Sequence, residues 1–190
     1  KLKMYNKIKV MIAGIGGASL GTEIRKSLTL TGDYEIYGCD ISNTAYGLYE
    51  EGFVDTYHVS RDNYVTSVLN VCIDAGVEFL IPGGEQPMGL LGAAMRMFSD
   101  SGITVLANTT EVITECSDKN KTFIRLEEYG IPIPKTRIVN TQSDIEKVGL
   151  PCVVKPATGT GGSVGVFFVV SIEEALIYAD FIRRMGSTPI

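Results

Sequence analysis

Ile8-Lys9-Val10-Met11-Ile12-Ala13-Gly14-Ile15-Gly16-Gly17-Ala18-Ser19 is the stretch whose reading decides the fold. Its first half is apolar and β-branched, the mark of a buried strand, and it runs into glycines that allow a tight turn. A helix is expected from about Ser19, with Leu20, Ile24 and Leu28 on one face. The pattern then repeats. Tyr34 to Cys39 reads as the second strand. Val65, Val68, Leu69, Cys72 and Ile73 form an i, i+3, i+4, i+7, i+8 stripe, closed by Gly76, and Val77 to Ile81 reads as the third strand. Pro87 fits the first turn of a helix carrying Leu91, Ala94, Met95 and Phe98, and Ile103 to Ala107 is the fourth strand. Strands alternating with helices predict βαβ units, hence an α/β domain over residues 1–113 built on an open parallel sheet with helices on both faces.

Beyond Glu111 the pattern changes to α+β, and residues 114–190 read as a second region. A helix is expected from an N-cap at Ser117 to Tyr129, stopped by Gly130 and Pro132. A short strand is expected around Thr136 to Val139 and a small helix after Thr141. Cys152 to Lys155 and Val164 to Val170 read as strands flanking a glycine-rich loop. Ser171-Ile172-Glu173-Glu174 is a capping box opening a helix with Ala175, Leu176, Ala179 and Ile182 on its face. Another strand is expected to begin near Gly186 to Ile190, so this region reads as unfinished.

The composition narrows the function classes. The chain has 190 residues, 45% apolar and 21% charged, which excludes disorder, collagen and coiled coil. A net charge of −5 argues against a general nucleic-acid or anionic-membrane surface. No apolar run approaches the roughly 18 residues of a membrane span. Cys39, Cys72, Cys116 and Cys152 form no CxxC pair, and with one histidine they supply no zinc set. Reduced thiols in a cytoplasmic protein are the reading. His58 reads as a strand histidine, and Met95, Met97 and Phe98 as helix core and surface rather than a cofactor box.

Glycine is abundant, 21 residues in all, and two clusters carry chemistry. Gly14 to Ser19 sits where a dinucleotide-binding loop would present amides to a pyrophosphate, with Asp40 as the ribose-binding acid. Ser19 replaces the third glycine of G-x-G-x-x-G, and a tight turn with no ligand needs the same glycines. The second cluster is Thr158-Gly159-Thr160-Gly161-Gly162-Ser163. Strands on both sides exclude a P-loop, which runs from strand to helix. A glycine-rich hairpin can close backbone amides over a phosphate chain, and Lys155, ending an apolar strand, calls for an anionic partner. A flexible hairpin beside a snorkelling lysine is the other reading.

Asp118-Lys119, Tyr129-Gly130-Ile131-Pro132-Ile133-Pro134 and Gly149-Leu150-Pro151-Cys152-Val153-Val154-Lys155-Pro156 with its glycine loop together resemble the ATP-grasp superfamily. The order and spacing are similar to the nucleotide-binding half of the carbamoyl-phosphate synthase large subunit. The resemblance implies a Rossmann-like preATP-grasp domain (1–113) followed by an incomplete ATP-grasp lobe (114–190), and so the front part of a longer ligase. It implies that Lys119 and Lys155, where relatives often carry Arg, contact the ATP phosphates. It implies a flap from Thr158 to Gly165, including Gly159, Thr160, Gly161, Gly162 and Ser163, over the β- and γ-phosphates. Gly16 and Glu85 are implied to face the substrate; Glu85 is equally placed to be a helix N-terminal acid. The implied cofactors are ATP and Mg²⁺, with the metal ligands outside this chain and none within it. The implied partners are ATP and a small carboxylate or bicarbonate, with a homo-oligomer allowed. The alternatives are an NAD(P)-binding oxidoreductase or sensor using the first glycine cluster, and a non-catalytic nucleotide-binding module.

Overall fold

Val10 to Ala13 have no room for water: Met11, Ile12 and Ala13 are fully buried, because β1 (Ile8–Ala13) is the centre of a five-stranded parallel sheet. The structure, a computed structural model, describes residues 6–17, 20–159 and 164–190. The chain divides into two units, Lys1–Ile113 and Thr114–Ile190.

In the first unit the strand order is β3-β2-β1-β4-β5. β2 (Tyr34–Asp40), β3 (Asp55–His58), β4 (Phe79–Pro82) and β5 (Thr104–Val105) complete the sheet. Alternate residues of β1 and β2 feed two cores. Met11, Ala13, Tyr37 and Cys39 pack with Val68, Leu69, Cys72 and Ala75 of α2 (Tyr64–Ala75), Leu91 of α3 (Glu85–Ala93) and Phe98 of α4 (Met95–Ser99). Ile12 and Ile36 pack with Ile24 and Leu28 of α1 (Leu20–Thr29) on the other face. The expected α/β sheet with helices on both faces is therefore present.

Several details depart from the sequence reading. Leu20 is 57% exposed, and Gly21, Thr22 and Arg25 are buried on α1 instead; Arg25 pairs with Glu50 at 2.5 Å. The sheet has a fifth strand, β3, whose register Tyr37↔Asp55 to Asp40↔His58 places exposed His58 on the sheet edge. The helix expected to run from Pro87 through Phe98 breaks at Ala94 (φ −109°, ψ 13°), after Gly89 and Gly92 have lowered its helical propensity.

Where β1 and β4 meet α1, three glycines permit backbone contact. A Cβ on Gly21 or on Gly83 would land inside the carbonyl oxygen of Gly14. Gly83 N donates to Ala13 O at 2.7 Å and Gly14 N to Cys39 O at 2.8 Å, extending the ladder past both strand ends. The third glycine that the fingerprint lacks at Ser19 thus has its packing counterpart at Gly21. Ser19 itself lies outside the described residues.

In the second unit, α5 (Thr110–Cys116), at whose Ile113 the units divide, is followed by α6 (Lys119–Glu128) and α7 (Gln142–Val148). A two-stranded antiparallel ladder, β6 (Cys152–Val154) with β7 (Phe167–Val169), precedes α8 (Ile172–Arg184). Val139, Ile145, Val154, Val169, Ala175, Ala179 and Ile182 form the core. The N-cap of α6 is Asp118, not Ser117: its carboxylate accepts from Asn120 N at 2.8 Å and Lys121 N at 3.1 Å. β7 is shorter than expected because Pro151 and Pro156 bracket its partner β6 and offer no N–H. Thr136 to Val139 forms no ladder; Val139 N donates to Pro189 O at 3.0 Å and Val139 O accepts from the Arg183 guanidinium. The expected final strand is present as a short pairing: Lys155 and Ile190 exchange both backbone bonds at 2.9 Å, and Ala157 N donates to Thr188 O at 2.8 Å.

The glycine contact yields a stability test. Gly21→Ala and Gly83→Ala should each lower unfolding free energy by about 1–3 kcal/mol, as overpacking does. Gly89→Ala, with open space around its Cβ, should be neutral or stabilise by up to about 1 kcal/mol. Urea denaturation of the three variants checks the order.

Candidate nucleotide cleft and substrate crevice

Lys155 extends from the end of an apolar strand into a cleft of about 700 Å³ in the second unit, within the usual range for small-molecule sites. Its backbone is fixed on one side by the Ile190 pair. Two residues on, Ala157 O accepts from Lys119 N at 2.9 Å, which ties the start of α6 to the lysine strand. The amides of Asn120, Lys121 and Thr122 are already taken by Asp118. The helix start therefore has no spare amides for an anion, and recognition falls to side chains.

Those side chains are of one sign. Lys119, Lys135, Arg137 and Lys155 line the cleft and no carboxylate does. The ion pairs found among the described residues, at Arg25, Lys26, Arg125 and Arg184, involve none of the four. Burial first, and then the neighbouring ammonium of Lys119, hold the Lys155 ammonium below its ordinary value of 10.5. The Phe123 ring lies 5.1 Å from Lys155 Nζ and offsets part of that cost by cation–π attraction. Apolar walls from Ile145, Val148 and Val166 complete the cleft. Such a site suits a polyanion with an apolar body.

Thr158 is held to Ser187, whose Oγ donates to Thr158 O at 2.9 Å, and Gly159 is exposed at φ +77°. Neither is a cleft wall. Thr160, Gly161, Gly162 and Ser163 lie outside the described residues. Lys135, Arg137 and Phe123 were missed from sequence; a signal existed for Phe123, which is i+4 from Lys119 on α6.

The first unit has its own crevice, about 270 Å³, at the C-terminal ends of β1, β2 and β4. This is the point where the strand order reverses, the usual ligand position in an open parallel sheet. Gly16 lines it. Glu85 is exposed at the first residue of α3 and is not a wall; its neighbour Gln86 is. Asp40 Oδ2 accepts from Ile15 N at 2.8 Å and Oδ1 from Ser42 N at 2.9 Å, so this carboxylate first of all holds the glycine turn in place. Cys39 and Cys72 are buried free thiols, pushed up by burial, Cys72 to about 12, and they are unreactive at neutral pH. Among the described residues no group of three His, Cys, Asp or Glu side chains could hold a metal ion, and no helix is long and apolar enough to cross a membrane.

No family model matches the chain. Over 87 residues, 44% of this chain and 8% of the other, it is 34% identical to the carbamoyl phosphate synthase large chain of Methanoregula boonei. Among solved structures, the biotin carboxylase domain of Hydrogenobacter thermophilus 2-oxoglutarate carboxylase, in complex with MgADP, ADP and bicarbonate, matches with a TM-score of 0.67. That match has 18% identity and covers 95% of this chain and 43% of that one. An ADP complex of PurK, N5-carboxyaminoimidazole ribonucleotide synthetase, matches with a TM-score of 0.67, 15% identity and coverage of 98% and 46%. The chain thus has the mixed α/β fold of these ATP-grasp ligases and spans less than half of their length.

The cost of the half-buried Lys155 ammonium is measurable without ligand. A lysine depressed in the fold binds its proton more weakly than in the unfolded chain. The penalty is therefore full below the folded value and disappears above 10.5. Lys155→Met should be at least as stable as the parent at pH 7, and its advantage should shrink as pH rises towards 10.5. Urea midpoints of both proteins across that range check the sign.

Proposed function

We propose that this chain forms the ATP-binding front of a carboxylate–amine ligase of the ATP-grasp kind, similar to the carbamoyl phosphate synthases. The observation that carries the reading is the cleft with four cations and no carboxylate, in a chain whose net charge is −5. An excess of positive charge free of ion pairs, half-buried at Lys119 and Lys155 and exposed at Lys135 and Arg137, suits a nucleotide's phosphates against the overall charge of the molecule.

ATP, when bound, supplies the phosphoryl group that turns a carboxylate or bicarbonate into an acyl phosphate, leaving ADP; an amine or ammonia then attacks the acyl carbon and releases phosphate. The residues of this chain contribute binding and charge neutralisation, the main sources of rate in phosphoryl transfer. Lys119 and Lys155 hold phosphate oxygens, and the backbone bond from Lys119 N to Ala157 O ties the segments that carry them. Phe123 steadies the Lys155 ammonium. Lys135 and Arg137 add charge along the cleft wall. The run Thr158 to Gly165 is assigned as the flap over the β- and γ-phosphates, with amides from Gly161 and Gly162. The described residues offer no carboxylate set for Mg²⁺, and no step is assigned to a metal. The crevice of the first unit, at Gly16 and the turn before α3, is assigned to the acceptor substrate.

Lys119→Ala and Lys155→Ala should each weaken ADP binding about 10- to 100-fold, the equivalent of losing a charge-assisted hydrogen bond of about 1.5–3 kcal/mol. Lys26→Ala, which removes a surface pair with Glu23, should leave it unchanged. Calorimetric titration with ADP decides: affinity untouched by both cleft variants would refute the assignment.

A further inference from the structure

The crevice of the first unit is more than a gap beside a glycine turn. Its volume, about 270 Å³, is close to the lower end of the roughly 300–1,000 Å³ typical of organic ligands, and bicarbonate would fill a small part of it. Much of the wall is apolar: Ile41, Pro87 and Leu90 face it. An inorganic anion gains nothing from such a wall, whereas a hydrocarbon side chain does.

The polar groups are of two kinds. Asp40 is 9% exposed and lines the crevice. Each of its oxygens accepts one backbone amide, and each retains a further lone pair. It has no cation partner among the described residues. A buried carboxylate satisfied by amides but lacking a counter-charge is a seat for an ammonium group. Arg61, also on the wall, is exposed and forms no ion pair among the described residues; its planar fork suits a carboxylate. Tyr64 is half-buried beside Asp40, and burial raises its hydroxyl well above the ordinary value, so it is a donor throughout the neutral range.

We propose that this crevice binds a small zwitterion with an apolar side chain, an α-amino acid, with its ammonium on Asp40, its carboxylate on Arg61 and its side chain against Ile41, Pro87 and Leu90. The proposal rests on the ligase reading of the chain and gives its acceptor a class: an amino acid has both groups such an enzyme can join. It distinguishes this crevice from one built for bicarbonate.

The test is a ¹⁵N–¹H shift titration of the whole chain with L-leucine and a panel of apolar amino acids, with ADP titrated separately into the same sample. Saturable shifts are expected around Ile41, Arg61, Gly83 and Gly84. Removing either charge of the ligand, as in 4-methylpentanoate or isopentylamine, should weaken binding at least tenfold, and so should Arg61→Gln. If bicarbonate or either half-analogue binds as tightly as L-leucine, the zwitterion assignment is overturned. If ADP shifts the second unit while no amino acid shifts the first, that assignment falls alone. If ADP also fails to shift the second unit, the ligase reading falls with it.

Discussion

Two ammonium groups share one cleft in the second unit, on backbone segments that are bonded in place. Lys155 is bonded through both its N and its O to Ile190, and Lys119 N is bonded to Ala157 O. Moving the two backbone segments apart would break a strand pair or unseat the start of α6. The half-buried Lys155 ammonium beside Lys119 costs the fold free energy, and part of that cost is offset by the ring of Phe123. A polyanion in the cleft would offset the rest, the burial cost first and the neighbouring charge of Lys119 second. This is the usual bargain between stability and function, in which a site is kept poorer in energy than its surroundings.

The two units use glycine differently. In the first, Gly14, Gly21 and Gly83 remove side chains where two strand ends and a helix touch, and Asp40 pins the intervening turn through Ile15 N. The amides of this turn are engaged in part with the protein itself, and the ligand space lies beside it, towards α3. In the second unit the cleft presents long cationic side chains, and the helix start has used its amides in its own cap.

Much of the fold was legible because the sheet interior is read from a period of two and its helices from a period near 3.6. β1, β2 and β4 are runs that cannot be anything else at that length. What escaped depended on contacts the chain makes far from itself. β3 is four residues with one face at the sheet edge, too short and polar to announce itself. Leu20, expected on the inner face, is exposed, while Arg25 is buried because Glu50, distant in sequence, offers it a partner. Asp118 displaced Ser117 as cap because a carboxylate can accept from two amides at once. In the cleft, Lys119 and Lys155 could be picked from a motif, while Lys135 and Arg137 could not, since they lie outside any helix or strand whose period would mark a side. Glu85 and Gln86 differ by one helical position, about 100° around the axis, and only the backbone decides which of them faces the crevice.

The most direct test of the account is a map of backbone amide shifts on adding ADP to the chain. The account predicts changes over Lys119 to Phe123 and Cys152 to Thr158, with Gly14 to Gly16 and Gly83 to Gln86 unmoved. Shifts confined to the first glycine turn and Asp40 would contradict it and would make that turn the nucleotide site.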